Sequence, residues 1–213
     1  WADGAATALG QSKQQALEAA GTLGNLFTAL GLGGQQSADM SMNVVNLASD
    51  LASFNNINPT EALDALRAGL TGETEPLKRL GVNMNEATLK AKGLELGLIK
   101  GSEALSPAAK AQAAYALIME QTGSAQGDFA RTSDGLANQQ RIMAAQFEDT
   151  KASLGTALLP AMTQGVGIAN TLVGGFNALP GPLQTTVVAA GAAAGGLALL
   201  GKSAGAIADG VGA

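Results

Sequence analysis

The chain has 213 residues, a formal charge of −5, and neither cysteine nor histidine, which removes disulfides, thiol nucleophiles, histidine acid–base pairs and nearly all zinc chemistry, and with them most enzyme classes. Its acidic balance and lack of a basic stripe argue against specific nucleic-acid binding or broad attraction to anionic lipid. Hydrophobic residues reach 46% while aromatics are 3% and glycines number 29, so the apolar content is small side chains that let helices approach closely but bury little area each, favouring an elongated helical object over one large compact core.

Residues 5–32 carry a helical pattern that Gly10, Gly21 and Gly24 break and Gly31, Gly33 and Gly34 close. Ser37 then reads as the cap of a stronger helix with an apolar face of Met40, Val44, Leu47, Leu51 and Phe54, ending at Asn55 and Asn56. At Asn58-Pro59-Thr60-Glu61 an N-cap, a proline at the first helical position and a glutamate at the third coincide. The helix they start runs to Leu70 and places Ala62, Leu63, Leu66 and Leu70 on one side. Residues 72–82 follow as a turn, a short helix and a second turn, with Glu73 and Glu75 as exposed charges near a helix start. Asn85 caps a helix that fades at Gly93 and Gly97, and residues 94–105 alternate loosely enough to suggest a small hairpin about Lys100-Gly101. Ser106-Pro107 opens a clean helix with Ala111, Ala114, Tyr115, Ile118 and Met119 facing inward, ending at Gly123. Residues 127–132 read as a link to what comes next.

Residues 133–159 contain no proline and mostly good helix formers, which predicts one long helix. Leu136, Gln140, Met143, Phe147, Thr150, Leu154 and Ala157 follow at alternating spacings of four and three, a heptad seam whose polar members, Gln140 and Thr150, cost stability while fixing register and strand number. A single amphipathic helix packed on a globular core has the same spacing, so both readings stand. Beyond it, Pro160 and the glycines of 165–175 weaken the pattern, and Pro180-Gly181-Pro182 is a definite break. No Asp, Glu, Lys or Arg occurs between Ala152 and Gly201.

Within that uncharged run, residues 183–200 approach the length of a bilayer span, and Gly191 and Gly195 have the spacing of a small-residue helix-packing motif. As a bilayer span the run is weak, since Ala and Gly contribute little transfer energy, and a helix buried against copies of itself is the favoured reading. Residues 196–203, GLALLGKS, match a phosphate-binding loop literally, but no buried strand precedes them and no metal-holding Asp follows on a later strand. We read the match as coincidence and expect no cofactor or metal.

The resulting fold class is all-α and elongated. An N-terminal helical segment (1–36) and a short-helix cluster (37–132) lead into a long coiled-coil-like helix (133–178), and then into an apolar Gly/Ala-rich helix (179–213). The chain begins at Trp1 rather than Met, and reads as an internal piece of a longer protein. Three stretches, NLASDLASFNNINPTEALDALRAGL at 46–70, GLTGETEPLKRLGVNMNEATL at 69–89 and the segment 105–162 beginning LSPAAKAQ, resemble the core region of phage tail tape measure proteins. The likeness covers roughly residues 25–162. Its most specific parts are the Gly72-Glu73-x-Glu75-Pro76-Leu77 turn and Gly127-Asp128-Phe129-x-Arg131-Thr132 leading into Ala137-Asn138-Gln139. The resemblance implies a helical virion protein held in several copies, commonly three, inside a tail tube. There it acts as a ruler during assembly, docks near tube and tip proteins, and leaves before DNA passage. In some members apolar segments enter the host membrane. The runner-up function is a membrane-perforating helical protein acting through residues 160–201.

Overall fold

The computed structural model describes residues 1–178 in two units, Trp1–Ser153 and the residues from Leu154 onward. After a 3-10 turn at Ala2–Gly4 come α1 (Ala5–Leu9), α2 (Lys13–Ala29), α3 (Gly34–Asn55), α4 (Pro59–Thr71) and α5 (Glu75–Lys78), then α6 (Glu86–Glu95), α7 (Pro107–Gln121), α8 (Asp128–Arg131) and α9 (Leu136–Asn177). The described residues are mostly helical and contain no strand.

Helix starts follow the capping chemistry written in the sequence. Asn58 accepts a hydrogen bond from the Thr60 amide with Pro59 at the first turn. Asn85 and Thr88 form a reciprocal box at α6, and Ser106 accepts from Ala109 ahead of Pro107. Each satisfies an amide that the first helical turn leaves without an intrahelical acceptor.

Four local expectations are corrected. Helix α3 starts at Gly34 with Gly33 at its N-cap, so Ser37 lies inside it, buried, its hydroxyl donating to the Leu32 carbonyl. Gly21 and Gly24 sit within α2 without interrupting it, because the packing of α2 on α3 outweighs the weak helix propensity of glycine. Phe54 is exposed, lying off the buried face. The hairpin at 94–105 is absent. Gly97 takes the left-handed conformation at φ +70°, and the Leu98 and Gly97 amides donate back to Gly93 and Leu94 carbonyls as a helix terminus. Those amides are thereby spent locally and unavailable to a ladder.

The core of the first unit runs as one cluster from Ala5 through α7 to Ala125. Phe27, Leu23, Leu47, Leu51, Leu66, Leu77 and Ile118 are its largest fully enclosed members. Ala16, Ala48, Ala52, Ala62 and Ala113 are fully covered between them. Small residues thus produce close helix contacts inside one continuous core of the first unit. Lys92 is covered and held by Glu120 at 2.6 Å and Glu95 at 2.7 Å, which raise its pKa in that order of effect. Because the folded pKa is raised, this contribution is complete below the usual lysine value of 10.5 and is lost only at higher pH.

Glycine positions give opposed predictions for one substitution. At Gly69 an added methyl overlaps the fully buried Leu77 side chain, so Gly69→Ala should lower unfolding stability by about 1–3 kcal/mol. Gly21 lies mid-helix with nothing near its position, so Gly21→Ala should raise stability by about 1 kcal/mol. Urea unfolding of the two variants checks both signs.

Candidate association surface on the long helix

Helix α3 supplies the ground on which α9 is placed. Its apolar face meets α2 and α4, and a polar stripe runs beside that face at spacings of three and four: Asn43, Asn46, Asp50 and Ser53. Each is joined to a distant segment. Asn43 donates to the Tyr115 hydroxyl, Asn46 accepts from the Trp1 indole, and Asp50 accepts from the Gly127 amide at 2.8 Å and the Phe129 amide at 3.1 Å. Ser53 accepts from the Asn138 amide group at 2.9 Å and lies 2.9 Å from the Thr132 hydroxyl.

The segment read as a link is therefore an anchor. Phe129 on α8 is 1% exposed, and Asp50 holds the amides at the α8 start. Asp50 is half-buried, and that burial pushes its pKa up, outweighing the two amide bonds that pull it down.

Five residues of α9 then fasten it, three by polar bonds and two by apolar contact. Asn138 is buried and bonded to Ser53 and Thr132. Arg141 donates to the Ile57 carbonyl at 3.0 Å and the Ala52 carbonyl at 3.5 Å, at the left-handed end of α3 where Asn56 has φ +52°. A cation there complements the negative end of the helix dipole. Burial lowers the Arg141 pKa, and among the described residues it has no carboxylate partner. Asp149 accepts from the Lys13 amide at 2.8 Å, capping α2 from outside. Ile142 and Ala145 are the buried apolar residues between these bonds.

The opposite face carries the predicted seam. Leu136, Met143 and Phe147 are 76%, 69% and 61% exposed, and the polar members of the stripe, Gln140 and Thr150, are exposed too. Thr150 bonds to the Gln146 carbonyl of its own helix. The Lys151 ammonium sits 4.5 Å from the Phe147 ring centre while pairing with Glu148. In the second unit Leu154, Leu158 and Leu159 are exposed as well, and α9 continues through Pro160. Periodicity had found the exposed stripe but not the docked one. Asn138, Ile142, Ala145 and Asp149 also recur at four and three, a spacing that hydrophobicity does not mark because its members are mixed polar and small.

A cleft of about 650 Å³ lies beside this helix, lined among others by Gln11, Gln15, Glu18, Arg67, Arg141 and Phe147. Among the described residues no cluster could hold a metal ion, and no helix is long and apolar enough to cross a membrane. Gly191, Gly195, the apolar run 183–200 and the GLALLGKS stretch lie outside the described residues. Comparison with family models, curated proteins and solved structures gives no match for this chain.

The pH behaviour of Asp50 tests the balance assigned to it. Its raised pKa means that the folded chain holds the proton more tightly than the unfolded one, so its contribution to stability falls as pH rises above 3.8 and through the folded value. Carboxyl NMR titration should place its midpoint above 3.8, and Asp50→Asn should remove that falling component from the stability profile. A midpoint below the ordinary value would mean that the amide bonds dominate.

Proposed function

We propose that this chain is a segment of a phage tail tape measure protein, an elongated virion component whose copies associate along α9. The observation that carries the reading is the stripe of Leu136, Met143 and Phe147, exposed on the face of α9 opposite the one docked on α3. Large apolar side chains at heptad spacing lose contact with water when identical helices meet, and Gln140 and Thr150 within the stripe favour one register over slipped alternatives. Leu154 continues the same spacing in the second unit.

Division of labour follows from this arrangement. The cluster at 37–132 is the part offered to tube and tip proteins, and the helix supplies length, about 1.5 Å per residue. The motifs at 72–77 and 127–132 support the family reading. They are the turn around α5 and the α8 anchor, local structures that a shared fold would have to keep. The proposed role needs no catalysis: the chain spans distance during assembly and is released at infection.

Two measurements test this. Sedimentation of the chain should give a trimer, and Met143→Glu with Phe147→Glu should yield a monomer of unchanged helix content; a native chain that stays monomeric at high concentration contradicts the reading. In the full-length protein, deleting one heptad within 136–159 should shorten tails by about 10 Å. Unchanged tails would make the segment a terminal anchor, and leakage of lipid vesicles on addition of the chain would favour the membrane-perforating alternative.

A further inference from the structure

We infer that the base of α9, residues 136–150, is a detachable arm that opens from α3 about Ser133–Gly135 while α8 and the apolar core stay in place. Three observations carry this. First, the arm is fastened chiefly by polar bonds: Asn138 to Ser53 and Thr132, Arg141 to the Ile57 and Ala52 carbonyls, and Asp149 to the Lys13 amide. Water can replace every one of these partners, so each contributes only a small net amount to the closed state.

Second, the apolar share of the attachment is Ile142 and Ala145, and neither belongs to the cluster that runs from Ala5 to Ala125. Opening therefore leaves that cluster intact. Third, the flanking elements differ in how they are held. Helix α8 has Phe129 enclosed and two amides on Asp50, whereas the bonds of Ser133 and Gly135 between α8 and α9 are local ones, to Ala130, Thr132 and Gln139. The chain is firm before the turn and lightly held after it. Local openings of this kind occur where buried apolar contact is sparse.

The consequence is that α9 has two association faces available at different times. Closed, it offers Leu136, Met143 and Phe147. Open, it adds Ile142 and Ala145 on the other side, so that a partner could surround the helix. This inference concerns a single copy and holds whether or not copies associate.

Absence of cysteine makes the test direct. Ala145→Cys and Ala65→Cys place single thiols at sites 3% and 2% exposed, one under the arm and one in the core. In dilute solution a thiol reagent should label the first about tenfold or more faster, with a rate nearly independent of low urea, while the second labels only as urea promotes global unfolding. Adding Ser53→Ala should speed labelling at 145 and leave 65 unchanged. Hydrogen exchange on the unaltered chain supplies a second readout, with amides of 138–149 opening before those of 44–52. Equal rates with equal urea dependence at both thiols, or exchange of both amide sets in one step, would show that the arm opens only with the whole unit and would overturn the inference.

Discussion

The polar stripe on α3 is the interaction on which the arrangement of the first unit rests. Apolar contact holds α3 against α2 and α4, but such contact is non-directional and tolerates small slides. Asn43, Asn46, Asp50 and Ser53 add direction, since each bonds to defined atoms of a distant segment: the Tyr115 hydroxyl, the Trp1 indole, the Gly127 and Phe129 amides, and the Asn138 and Thr132 side chains. A one-residue slip breaks all of them together. The stripe fixes α8, α8 fixes the start of α9, and the start of α9 decides which of its faces meets water.

That last step joins fold to function. Docking through Asn138, Arg141, Ile142, Ala145 and Asp149 spends one side of α9 on its own chain. Met143 and Phe147 are left outward because they sit across the helix from those residues. Had the helix been rotated by about half a turn, the same apolar stripe would have faced α3 and α9 would expose its polar side instead. The close approach at Gly10, where an added methyl would press on Arg141 and Phe129, shows how tightly the rotation is set.

Much of the fold could be read from the residues because helix starts are local events. Asn58-Pro59, Asn85-x-x-Thr88 and Ser106-Pro107 each act within three or four positions, and each cap is found where the residues place it. Failures came where a distant partner decides. Ser37 has the chemistry of a cap but is enclosed within α3, and Gly21 and Gly24 do not end α2 because its packing on α3 outweighs their weak helix propensity. Asp50 and Asn138 are separated from their partners by 77 and 85 residues, so nothing in the neighbouring sequence announces them. The α9 stripe was legible as a pattern, whereas its exposure was not, since spacing is the same for a core helix and for a seam.

The central claim is that the outward stripe of α9 meets the same stripe of another copy. Oxidative crosslinking measures this most directly in a chain without native thiols. With Met143→Cys, copies aligned in register bring like positions together, so mild oxidation should yield a covalent dimer, while Lys110→Cys on α7 should remain single under the same conditions. A Met143→Cys chain that stays uncrosslinked at high concentration, or crosslinks no faster than the α7 variant, would contradict the account.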